Sequence, residues 1–137
     1  MGAAQWQEVQ GKGFTFEAPA GWTVNGAAAS NGAVDRVQVS IFELEHPYTR
    51  SKRAAVAGEL DGDAASLAQQ LKGAVSSKAA LEVSGLDGRT YAIAYDGKVE
   101  EITFAFRGIR EYELLCRRPA GEANAACARL VSSFRLA

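Results

Sequence analysis

A single histidine, two cysteines and three prolines are spread over 137 residues, and each scarcity excludes a class of chemistry. Two Cys and one His do not complete a four-ligand zinc site without carboxylates, so no metal site is expected. No serine lies in a G-x-S-x-G setting, and Gly11-Lys12-Gly13 lacks the rest of a phosphate-cradling loop. A basic excess is missing too. Lys and Arg number 15 against 16 Asp and Glu, a formal net charge of −1, which gives no electrostatic case for nucleic acid. No apolar run approaches the roughly 18–20 residues that span a bilayer as a helix. No catalytic residue and no cofactor are therefore expected.

What is present is ordinary for a globular chain: 47% apolar and 23% charged residues, in a length that suits one domain spanning 1–137. The opening MGAAQWQEVQ has neither the basic start nor the apolar centre of a signal peptide. Residues 1–10 read as a short scar or linker joined to a mature domain whose precursor carried a targeting segment.

Phe14 and Phe16 alternate with Thr15 and Glu17, the period of a half-buried strand. Pro19 and Gly21 turn the chain, and Trp22 and Val24 resume the alternation, which predicts an opening hairpin with these four side chains on its apolar face. Val37, Val39 and Ile41 form one face of a further strand. Residues 45–62 read as a long loop with a helical turn near Arg53–Ala57. A helix is predicted from an Asp63 N-cap, with Ala64, Leu67, Leu71, Ala74 and Val75 on one face. Two Asp-Gly pairs, Asp87-Gly88 and Asp96-Gly97, suit type I′ turns and predict a meander of Leu81–Leu86, Arg89–Tyr95 and Lys98–Phe106. Ile109–Cys116 adds a fourth strand. Pro119 opens a last helix with Ala123, Ala126, Cys127, Leu130, Val131 and Phe134 along one stripe. Strands, helix, strands, helix with hairpin turns predict an α+β fold built on an antiparallel sheet.

Cys116 and Cys127 face the same interior across a turn containing Pro119 and Gly121. Either they form a disulfide, which places the protein in an oxidising compartment, or they are two reduced core cysteines. The apolar setting of Cys127 speaks against a catalytic pairing with His46. The stretch EHPYTRSKR gathers His46, Tyr48, Arg50, Lys52 and Arg53 in a polar, aromatic and basic loop. It is a candidate binding loop for an anionic group or a partner protein, against the plainer role of a solvated connection. Glu111 and Glu113 share a strand face, where neighbours such as Arg107 or Arg110 would solvate them ordinarily, while Glu100 and Glu101 point to opposite faces.

GFTFEAPAGW, a middle helix, a run of hairpins and the closing CARLVSSFRL together resemble the PsbP-like family, whose fold is shared with Ran-binding Mog proteins and DcrB-type bacterial lipoproteins. The resemblance implies an antiparallel sheet with helices on both sides, an α-β-α sandwich. It also implies a non-enzymatic role: an extracytoplasmic binding or assembly-assisting module, the soluble part of a bacterial lipoprotein. The partner would be a protein of a cell-envelope complex, and membrane attachment would come through a lipid anchor not in this sequence. The alternative is a small enzyme or small-molecule carrier with a pocket near His46 and Tyr48.

Overall fold

The computed structural model describes residues 5–137. Among them, the recurrence of apolar residues at every second position lays down ten strands in two antiparallel sheets, accompanied by two helices. The smaller sheet pairs β1 (Trp6–Gly11) with β2 (Phe14–Pro19), and the short β10 (Arg135–Leu136) joins β2 from the far end of the chain. The larger sheet begins with the meander β3 (Thr23–Asn25), β4 (Ala28–Asn31) and β5 (Asp35–Glu43). It is completed by β6 (Ala74–Val83), β7 (Leu86–Tyr95), β8 (Lys98–Arg107) and β9 (Arg110–Pro119), in the order β3-β4-β5-β9-β8-β7-β6. Helix α1 (Arg53–Gln70) precedes β6, and α2 (Ala125–Ser133) follows β9.

The two faces of the seven-stranded sheet carry separate cores. On one, Val37 and Val39 of β5 and Tyr112, Leu114 and Cys116 of β9 meet Phe14, Phe16 and Ala18 of β2 and Leu130 and Phe134 at α2. The rings of Phe14 and Phe134 lie 5.7 Å apart, with Tyr112 edge-on to Phe14 at 6.5 Å. On the other face, Leu60, Ala64 and Ala68 of α1 press on Tyr91, Ile93, Ile102 and Phe106. Helices do lie on both sides of an antiparallel sheet, and the small sheet shares its side with α2. The cysteines are joined: Cys116 and Cys127 form a disulfide with Cα atoms 5.3 Å apart, stapling α2 to β9. Closing a loop of eleven residues' separation contributes about 3 kcal/mol in the chain-entropy account.

Several expectations are corrected. Residues 6–10 are no linker, because they pair with β2 in full register and bury Val9; residues 1–4 lie outside the described residues. Phe14, Phe16, Trp22 and Val24 do not share a hairpin face. β2 pairs with β1 and β10, whereas the chain passes Gly21 into the other sheet, where Val24 is 43% exposed and Trp22 is half-buried at the core's edge. Helix α1 starts ten residues before Asp63, which is exposed in mid-helix. Gly58 and Gly62 lower its intrinsic propensity, but burial of Leu60 outweighs them. Ala74 and Val75 belong to β6, beyond the helix. Pro119 ends β9, and α2 waits until Ala125 because Gly121, at a φ of 86°, carries a turn first.

The Asp87-Gly88 pair lies inside β7. The hairpin turns at Ser84-Gly85, where both residues take positive φ, just as Asp96 and Gly97 do at the next turn. Gly88 is needed for close approach: a Cβ there would come within 2.6 Å of the Phe104 carbonyl oxygen on β8. Gly88→Ala is therefore expected to cost roughly 1–3 kcal/mol in denaturant unfolding, as an overpacked interior does. A loss below roughly 0.5 kcal/mol would mean that the two strands are not this close.

Candidate functional site

The chain leaves β5 at Glu43 and is tied to the β8–β9 turn by two backbone bonds: Leu44 N–H donates to the Ile109 carbonyl at 2.6 Å and Tyr48 N–H to that of Gly108 at 2.8 Å. The Tyr48 ring stacks on Phe106 at 4.8 Å, and its hydroxyl donates to Asp87 Oδ2 at 2.9 Å. Arg50 donates to the same carboxylate twice, Nη2 to Oδ1 at 2.8 Å and Nε to Oδ2 at 3.3 Å. These bonds, Arg50's first, hold the Asp87 carboxyl below its ordinary value, while burial and then Asp87 push the Tyr48 phenol up. Lys52 Nζ closes the loop on itself by donating to the Pro47 carbonyl at 2.9 Å. His46 and Arg53 are exposed and make no side-chain hydrogen bond or ion pair among the described residues. Of the five predicted loop residues, Tyr48 and Arg50 converge on one carboxylate, Lys52 bonds back to the loop backbone, and His46 projects from the loop they fix. Arg53 is not on the loop but is the exposed first residue of α1.

A second carboxylate anchors α1. Asp61 accepts from the Tyr91 hydroxyl at 2.5 Å and from Arg89 Nε at 2.8 Å, with Lys78 Nζ at 3.5 Å. The Arg89 and Tyr91 hydrogen bonds draw the Asp61 carboxyl down to about 2, and burial, with Asp61, raises the Tyr91 phenol to about 12.

Pinned there, α1 packs over β6 and β7, and β9 and β5 meet it across an open groove of about 320 Å³. Its walls are Leu60 and Leu67 of α1, Ile102 and Phe104 of β8, and Phe42 of β5, which is 47% exposed. Its floor carries Glu111 and Glu113, with Asp63 opposite on α1. The expected solvation of these glutamates by Arg107 or Arg110 does not occur. Register places Glu111 between Phe42 and Phe106, and Glu113 between Ser40 and Phe104. Neither has an ion-pair partner among the described residues. Burial raises both carboxyls; Glu113 and Asp63 raise Glu111 further, and Glu100 raises Glu113 further. Glu100 has Arg117 at 3.8 Å and the Tyr95 hydroxyl at 3.2 Å, and Glu101 bonds Arg118 on the opposite face, so these two diverge as expected. A second depression, of about 370 Å³, shares Leu60, Asp63 and Glu111 with the groove and runs on to His46, Tyr48, Lys52 and Glu59. The Glu-x-Glu spacing on β9 put both carboxylates on one face; what the sequence did not signal was that phenylalanines would flank them.

No family model matches this chain, and no curated protein matches it. Solved structures do. The solution structure of cyanobacterial PsbP (CyanoP) from Synechocystis sp. PCC 6803 superposes with a TM-score of 0.64 at 13% identity, covering 99% of this chain and 95% of that one. A crystal structure from Bacteroides thetaiotaomicron VPI-5482 gives 0.52 at 12% identity, covering 97% of this chain and 42% of the other. The fold is PsbP-like.

Two pH dependences follow, of opposite sign. Asp61, lowered in the folded state, contributes stability that is present above its unfolded value and lost as pH falls from about 4 to about 2. Asp61→Asn should remove that acid limb from a melting-temperature profile. Glu111 and Glu113, raised in the folded state, contribute stability present below the unfolded value near about 4.3 and lost as pH rises through their folded values. Glu111→Gln with Glu113→Gln should therefore melt higher than the parent at neutral pH, with the difference shrinking toward pH 4. A constant difference across the range would refute the assignment.

Proposed function

We propose that the protein is a non-enzymatic binding or assembly-assisting module working outside the cytoplasm, the soluble part of a bacterial lipoprotein, with a protein partner in a cell-envelope complex. The observation that carries this reading is the loop between β5 and α1. Two side chains on Asp87 and two backbone bonds to the β8–β9 turn hold it rigid, so His46 on the loop and Arg53 at the start of α1 are presented from a fixed platform. A preorganised exposed loop binds without paying again to order itself. The Cys116–Cys127 disulfide supports an oxidising compartment, and the PsbP-like fold supports the binding role.

A second reading, a small-molecule carrier or small enzyme, draws on the depression of about 370 Å³ beside His46 and Tyr48. Its volume is at the lower end of ligand pockets. Tyr48 spends its hydroxyl on Asp87, which leaves His46 and Lys52 beside the carboxylates Glu45, Glu59, Asp63 and Glu111 as the groups able to act there.

The test uses the chain as affinity bait in an extract of extracytoplasmic proteins. His46→Ala with Arg53→Ala should recover the specific partner about tenfold less, a loss of about 1.4 kcal/mol, at an unchanged melting temperature. Arg50 is left intact because its removal would free the loop. Equal recovery by both forms would sink the loop's part in binding. Saturable binding of a small metabolite that depends on His46, with no partner protein recovered, would favour the carrier.

A further inference from the structure

The groove between α1 and the β8-β9-β5 face contains two carboxylates that have no counter-ion among the described residues. We propose that it receives a lysine or arginine side chain from an extended, apolar-flanked basic segment of the protein partner. This deepens the binding-module reading and rests on it.

Three observations specify the ligand. The first is charge. Glu111, Glu113 and Asp63 line one opening, and the groups that raise the two glutamates are burial and other carboxylates. An ionised carboxylate desolvated without a partner is costly, and a cation entering the groove recovers that cost. The second is the shape of the walls. Leu60, Leu67, Ile102 and Phe104 give an apolar channel leading to the carboxylates, which suits the aliphatic stem of a Lys or Arg ending in its charged head. Phe42, an exposed aromatic at the rim, offers its ring to an apolar neighbour or to the cation itself. The third is continuity. The adjoining depression shares Leu60, Asp63 and Glu111 and adds Glu45 and Glu59 beside His46 and the single cation Lys52, so carboxylates predominate along the flank of α1 toward the fixed loop. An extended segment with a second basic residue matches that length better than a compact ion. Among the described residues no three His, Cys, Asp or Glu side chains converge on a common metal position.

The test is a two-dimensional amide NMR titration of the isotope-labelled chain. The probe is the blocked peptide acetyl-Gly-Leu-Lys-Val-Arg-Leu-Gly-amide; its control carries norleucine for Lys and citrulline for Arg. Saturable shifts are expected at Phe42, Leu67, Phe104, Glu111 and Glu113. Affinity should fall about tenfold for the neutral peptide and about tenfold for Glu111→Gln with Glu113→Gln, as loss of a charge-assisted contact requires. It should also weaken from roughly 0.05 M to 0.3 M salt. The glutamine variant keeps side-chain volume and loses only charges that burial penalises, so it remains folded, which its melting curve verifies.

The proposal is overturned by no saturable binding up to about 1 mM peptide, by equal affinity for the neutral peptide, or by undiminished binding to the glutamine variant. It also falls if n-butylammonium matches the basic peptide, which would make the site one for a free amine. A concentration-dependent dimer abolished by the glutamine variant would overturn it too, by assigning the groove to a second copy of the chain. If a partner recovered by the parent chain is recovered equally by the glutamine variant, the groove proposal fails while the binding-module reading stands.

Discussion

The buried phenol of Tyr91 determines where α1 lies, and the rest of the second face depends on that position. Its ring is almost wholly covered by the helix, and its hydroxyl would be stranded in an apolar layer without an acceptor. Asp61 supplies the acceptor from one turn of α1, with Arg89 beside it neutralising the carboxylate. Satisfying one buried polar group thus fixes the helix over β6 and β7. A single helix is too narrow to cover the whole sheet, so the β9–β5 half remains open as a groove. The same hairpin supplies the second fixed point, since Asp87 on β7 gathers Tyr48 and Arg50. Two aspartates, Asp61 on α1 and Asp87 on β7, therefore set both the helix and the loop that leads into it.

Much of the architecture was legible because alternation is a direct consequence of pleating. Phe14, Phe16, Val37, Val39, Tyr112, Leu114 and Cys116 all lie on the faces their spacing implies, and the stripe Cys127, Leu130, Phe134 faces the same core. That convergence is also why the two cysteines could be brought together from sequence. The errors share a cause: local signals were given weight that tertiary contacts overrode. Asp87-Gly88 has the composition of a hairpin turn, yet Gly88 serves strand approach and Asp87 serves the loop, while Ser84-Gly85 takes the positive φ angles. Residues 53–62 lack capping and carry two glycines, yet burial of Leu60 against Tyr91 and Phe106 makes them helical. β3 follows β2 closely but leaves for the other sheet, which no local pattern records.

The candidate site was legible in part for the same reason. The polar loop was visible as a departure from strand periodicity. That Tyr48 and Arg50 are structural depended on a carboxylate 37 residues away in sequence from Arg50. The glutamates of β9 were visible as a pair on one face, but their environment is written on β5 and β8, in Phe42, Phe104 and Phe106. Only register joins those strands, and register is a property of the assembled sheet.

The energetics of that pair bear on why it exists. Folding places two like-charged side chains on a floor edged by phenylalanines, where burial and neighbouring carboxylates both oppose ionisation. Elsewhere in the same molecule carboxylates are matched: Asp61 with Arg89, Asp87 with Arg50, Glu101 with Arg118, Glu17 with Arg129. The chain thus has the means to pair its acids. The disulfide between β9 and α2 braces the same strand that carries the glutamates, from its opposite face. A strand held that firmly can keep Glu111 and Glu113 in an unfavourable setting without yielding its register, which is the condition a preorganised cation site requires.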